Sequence, residues 1–151
     1  MDDLRELYQA TILGHNKKPR NFRVIDDASH EADGHNPLCG DQLTLYAKIA
    51  EDGTLEDVAF QGSGCAISKA SASLMTDFVK GKSVPEIEAD FTRFHDLVTS
   101  SPSEEANLEG LGKLAVFAGV REYPMRVKCA TLAWHALHEA LVGDGATAKT
   151  E

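Results

Sequence analysis

Three cysteines and one aspartate have the types and settings to do chemistry. Cys39 and Asp41 flank Gly40 in one short turn, Cys65 follows Gly62-Ser63-Gly64, and Cys129 follows Arg126-Val127-Lys128. Thiolates and a carboxylate are ordinary zinc ligands, and four such groups can close one tetrahedral site. A site built only for structure more commonly closes with four Cys or His. A carboxylate oxygen is more exchangeable, so these thiolates are candidates for reaction as well as ligation. A glycine-permitted turn can aim Cys39 and Asp41 at one point, and in a regular strand residues two apart face the same side. Cys65 and Cys129 must arrive from elsewhere in the fold, at separations that exclude a zinc-finger knuckle. The competing reading is three unconnected core cysteines, since free Cys packs as a small hydrophobe. Spacing alone leaves the two readings level; the glycine-rich contexts favour a site.

The elements that must position these residues follow from periodicity and punctuation. A first helix is expected from Asp2 to Gly14, with Leu4, Leu7, Tyr8 and Leu13 near one face. Asn21 to Pro37 is polar and has room for an edge strand. Leu43, Leu45, Ala47 and Ile49 alternate with Thr44, Tyr46 and Lys48, the pattern of a half-buried strand. Asp52-Gly53 marks a hairpin, and Leu55 to Phe60 reads as the return strand. A helix is expected from Ala66 to Lys80, with Gly81 as its C-terminal stop. Ser83 and Glu86 form a capping box for the next helix, with Pro85 in its first turn. Glu104 to Phe117 reads as a further helix with Leu108, Leu111 and Ala115 inward, and the last helix as Val127 to Val142. Residues 1–142 then form one domain and 143–151 a flexible C-terminal tail. The order predicts an α+β fold: a small antiparallel sheet of about three strands with several helices packed on one face.

On this layout Cys65 lies just before one helix and Cys129 near the start of another. Both placements favour thiolate, through the helix dipole and free N–H groups. Arg126 and Lys128 approach Cys129, and Arg126 is the better candidate for a cation that steadies a thiolate or persulfide. Among the six histidines, His35 alone is kept as a spare ligand. His135 and His138, in the last helix, read as exposed positions.

Composition excludes several classes. Net charge is −9, so nucleic acid is not expected as a partner, because phosphate binding needs a basic surface. The first ten residues are acidic and lack the apolar run of a signal peptide, and no stretch approaches a membrane span. A cytoplasmic protein is expected, with no membrane partner. An odd number of widely spaced cysteines favours metal or thiol chemistry over a disulfide framework.

Three blocks, Asn36-Pro37-Leu38-Cys39-Gly40-Asp41, Gly62-Ser63-Gly64-Cys65-Ala66-Ile67-Ser68-Lys69-Ala70-Ser71-Ala72-Ser73 and Arg126-Val127-Lys128-Cys129-Ala130-Thr131-Leu132, resemble the IscU/NifU-like superfamily, in the right order. Its scaffold branch typically has His before the last cysteine and a Leu-Pro-Pro-Val-Lys segment upstream. Here Lys128 precedes that cysteine, Val120 to Arg126 lacks the double proline, and an extra segment of roughly Asp90 to Leu108 intervenes. These departures resemble the SufU branch of zinc-dependent sulfurtransferases. The resemblance implies an IscU/SufU-like fold, zinc held by Cys39, Asp41, Cys65 and Cys129, and Cys39 as sulfur acceptor. It also implies a SufS-type cysteine desulfurase as donor and downstream Suf cluster-assembly proteins as partners. An IscU-like scaffold for a [2Fe-2S] cluster is the alternative, and a purely structural zinc domain is the third.

Overall fold

The structure, a computed structural model, describes residues 2–37, 40–142 and 148–149, with side chains described for 9–37 and 40–142. Leu38 and Cys39 lie outside the described residues, as does most of the expected tail. The chain opens with α1 (Asp2–Lys17) and then forms β1 (His30–Asn36), β2 (Asp41–Ile49) and β3 (Leu55–Ser63). Helices α2 (Ala66–Val79) and α3 (Val84–Thr99) follow, then a 3-10 helix (Gly112–Glu122) and α4 (Pro124–Val142). A two-residue strand, β4 (Ala148–Lys149), pairs in parallel with Gly34 and His35 of β1.

The sheet order is β3-β2-β1-β4, and the three longer strands are antiparallel. Two registers matter for function. Asn36 lies directly across from Asp41, and Gln42 across from Ser63. The end of β1, the start of β2 and the end of β3 therefore meet at one end of the sheet. Leu43, Leu45 and Ala47 are buried on one face, while Thr44, Tyr46 and Lys48 on the other remain partly exposed. This is the period-2 pattern read from the sequence.

The helices cover the apolar face. Trp134 of α4 stacks on Phe94 of α3, which meets Phe117 of the 3-10 helix edge-on at 5.7 Å. All three rings are fully buried. Between α2 and α4 the contact is made by small residues. Ser71 is wholly buried, and its Oγ donates to the Ala130 carbonyl at 2.5 Å. Ser73, also in α2, ties the helix to the turn after α1, its Oγ accepting the Arg20 backbone N–H at 2.7 Å.

Local signals account for several boundaries. Ser83 caps α3 with the full reciprocal box, its hydroxyl accepting from the Glu86 N–H while the Glu86 carboxylate accepts from the Ser83 N–H. The expected helix over Glu104 to Phe117 is not formed. Residues 101–111 are a largely exposed loop, and the helical segment there is 3-10, shifted to Gly112–Glu122. Gly110 and Gly112 both take positive φ, which an α-helix cannot accommodate. Leu111, Leu114, Phe117 and Val120 are buried at a spacing of three, the period of a 3-10 helix. Leu108, expected inward, is 40% exposed. The last helix begins at Pro124, three residues earlier than expected, because Tyr123 is non-helical and proline is preformed for the first helical position.

Candidate metal centre

Asp41 is the first residue of β2 and is wholly buried. One carboxylate oxygen, Oδ1, accepts the backbone N–H of Cys65 at 2.8 Å. The other, Oδ2, accepts from the side-chain amide of Asn36 at 3.3 Å. This fit depends on Gly64: a Cβ there would fall 2.6 Å from Asp41 Oδ1. The glycine before Cys65 is thus explained by close approach of the carboxylate. Gly40, with φ +70, lets the chain turn into β2 immediately before Asp41.

Cys65 is the N-cap of α2, half-buried, and its Sγ accepts from the Ser68 N–H at 3.4 Å. Cys129 is buried, on the sixth residue of α4 rather than at the helix start the sequence suggested. The free N–H groups of a helix end belong to its first turn, so they serve Cys65 and not Cys129. The Cys65 thiol is lowered to about 7, chiefly by its hydrogen bond with Cys129. The Ser68 N–H acts in the same direction, while burial and the Asp41 charge oppose it.

The ligand atoms of Asp41, Cys65 and Cys129 all lie within 4.8 Å of one another. Residues 41, 65 and 129 come from a strand start, a helix cap and the interior of another helix, so only the folded chain unites them. Two sulfurs and a carboxylate oxygen around one point are a donor set suited to zinc. The structure thus brings together three of the four residues singled out as ligands; the fourth, Cys39, lies outside the described residues.

The remaining candidates are placed differently. Arg126 is exposed, with its guanidinium 4.7 Å from the centre of the Tyr123 ring. His35 alternates with Asn36 along β1 and so lies on the face opposite to Asp41's partner; it does not join the cluster. His135 and His138 are half-buried, packed on Phe91 with ring centroids at 5.3 and 5.5 Å. Asn36 is the residue that sequence reasoning passed over. Besides Asp41, its Nδ2 reaches Cys129 Sγ at 3.6 Å.

Comparison with known proteins extends over this whole arrangement. The model of the NifU-like N terminal domain matches residues 7–142. The iron–sulfur cluster assembly scaffold protein IscU of Streptococcus pyogenes serotype M1 is 41% identical, over 93% of this chain and 86% of that one. The zinc-dependent sulfurtransferase SufU of Bacillus subtilis is 39% identical, over 92% of each. A crystal structure from Fervidobacterium islandicum AW-1, described provisionally as an iron–sulfur cluster assembly scaffold protein for the SUF system, superposes with a TM-score of 0.81. It is 33% identical and covers 90% of this chain and 97% of its own. Among the described residues no helix is long and apolar enough to cross a membrane. With one end of its sheet built around the buried Asp41 and a match reaching from residue 7 to the last turn of α4, the chain belongs to the NifU-like N-terminal domain family, whose IscU and SufU members its sequence and fold resemble throughout.

Proposed function

We propose that the chain is a zinc-dependent sulfurtransferase that accepts persulfide sulfur from a SufS-type cysteine desulfurase for iron–sulfur cluster assembly. The observation that carries this reading is the placement of Asp41. Its carboxylate is buried, oriented by two N–H donors and set beside two cysteine sulfurs. Together with Cys39 it makes three thiolates and one carboxylate, the donor set of a single zinc ion. Zinc would keep the thiolates ionised at neutral pH while masking them from oxidation.

Asp41, Cys65 and Cys129 are the retaining ligands in this reading, and Cys39 is the exchangeable one. Freed as a thiolate, Cys39 attacks the outer sulfur of the donor's persulfide. A sulfur–sulfur bond forms to Cys39, the bond within the donor persulfide breaks, and the donor cysteine leaves as thiolate. No net oxidation or reduction occurs. Arg126, exposed and three residues before Cys129, supplies the cation assigned to the new persulfide anion.

The test is alanine release by the desulfurase, with and without this protein, in the presence of a thiol reductant. Strong stimulation lost in Cys39→Ala is the expected result. No stimulation, or full stimulation by Cys39→Ala, overturns it. The alternative is an IscU-like scaffold for a [2Fe-2S] cluster, favoured by the 41% identity to the streptococcal scaffold protein. It predicts a stable cluster spectrum after iron and sulfide reconstitution. Lys128, where the scaffold branch typically has His, weakens that reading.

A further inference from the structure

Asn36 ends β1 with none of its surface exposed. Its amide nitrogen carries two hydrogens and has two acceptors, Asp41 Oδ2 at 3.3 Å and Cys129 Sγ at 3.6 Å. One planar group therefore bridges a strand ligand and a helix ligand that are 88 residues apart in sequence, 129 less 41. Its oxygen, Oδ1, is buried with no hydrogen-bond partner among the described residues. Turning the amide over would satisfy nothing. It would set the oxygen against a carboxylate oxygen, with which it cannot hydrogen-bond, and take both N–H donors away from Asp41 and Cys129. A buried amide with one end unsatisfied is a poor space-filler, since an apolar side chain of the same branching, such as leucine, carries no such cost. What leucine lacks is the pair of N–H donors.

We infer that Asn36 is a positioning residue of the metal centre. Its amide fixes Asp41 and Cys129 in mutual register and withdraws charge from both, so that they hold the metal together while a third thiolate is released. This inference rests on the metal centre of the proposed function. It assigns Asn36 no contact with metal or sulfur substrate; the residue acts through two ligands, as the outer partners of metal ligands commonly do.

Asn36→Leu in the full chain tests it, with Zn2+ and Co2+ as probes. The expected result is zinc affinity lower by about 10–100-fold in competition with a chromophoric chelator. The thiolate-to-cobalt charge-transfer band should shift as the N–H···S bond is lost. A purely structural role would move the melting temperature and leave the cobalt band in place. Affinity within twofold of wild type with an unshifted band overturns the inference. Should Asn36→Leu not fold, cadmium-113-loaded wild type decides: an Asn36 side-chain amide proton coupled to cadmium through Cys129 supports it, and no coupling overturns it. Wild type that binds neither zinc nor cobalt removes the centre itself. That outcome is the failure of the functional reading, and it is distinct from a variant that binds as wild type does.

Discussion

The Asp41 carboxylate accepts the backbone N–H of Cys65 at 2.8 Å, which ties the first residue of β2 to the residue that caps α2. A strand start and a helix start are locked together before any metal is considered. The lock holds only because Gly64 leaves room for the carboxylate.

Gly64→Ala is therefore expected to damage metal binding more than folding. The new Cβ would sit 2.6 Å from Asp41 Oδ1, so the carboxylate must turn away from Cys65 and from the neighbouring sulfurs. Zinc retained after dialysis against a chelator should fall, with affinity down by about 10–100-fold, the loss typical of disturbed ligand support. Gly14→Ala is the control, since an added Cβ there meets nothing within 4 Å. Equal zinc retention by Gly64→Ala and wild type would show that Asp41 does not need this orientation.

Much of this arrangement was legible in local sequence. The alternation from Leu43 to Ile49, the Asp52-Gly53 turn and the Ser83–Glu86 box each rest on contacts within a few residues, and each formed where expected. The cysteines were flagged by their glycines, and for Gly64 the structure gives the physical reason. Asn36 left no such signal. A buried amide in a polar stretch looks like any loop asparagine until strand register sets it across from Asp41. Glu104 to Phe117 misled for the opposite reason. Its Glu, Ala and Leu residues favour an α-helix, but Gly110 and Gly112 adopt conformations that break one, and burial at every third residue selects the tighter helix.

That period-3 stripe has an energetic consequence. Phe117 is fully buried against Phe94. Phe117→Ala should cost about 3–5 kcal/mol in urea unfolding, as large aromatic deletions in a core do. Lys113→Ala, exposed on the same 3-10 helix, should stay within about 0.5 kcal/mol. Comparable small effects for both would mean that this segment does not anchor the core.

Ser83→Ala removes the side-chain half of a complete capping box. A loss of about 1 kcal/mol is expected, or roughly 2–4 °C in melting temperature for a domain of this size. Ser83→Asp keeps an acceptor for the Glu86 N–H and should recover most of it. Failure of Asp to do better than Ala would assign the effect to the hydroxyl's exposure rather than to capping.

His135 sets a pH limit on stability. Burial, first, and then the neighbouring His95 and His138 hold its pKa below the ordinary histidine value of 6.5. Its ring is packed against Phe91 and His95, and Glu88 on α3 accepts from or pairs with His138 alongside, at 2.8 Å. Since the folded state binds this proton less readily than the unfolded chain, the contribution of His135 is intact above pH 6.5. It is lost as pH falls from there through the folded-state pKa. Melting temperature measured from pH 7.5 to pH 5 should decline for the wild type and decline less steeply for His135→Leu. Some slope will remain, because His15, lowered first by burial and then by Arg20, acts in the same direction. A slope in His135→Leu as steep as that of the wild type would place the acid sensitivity elsewhere in the molecule.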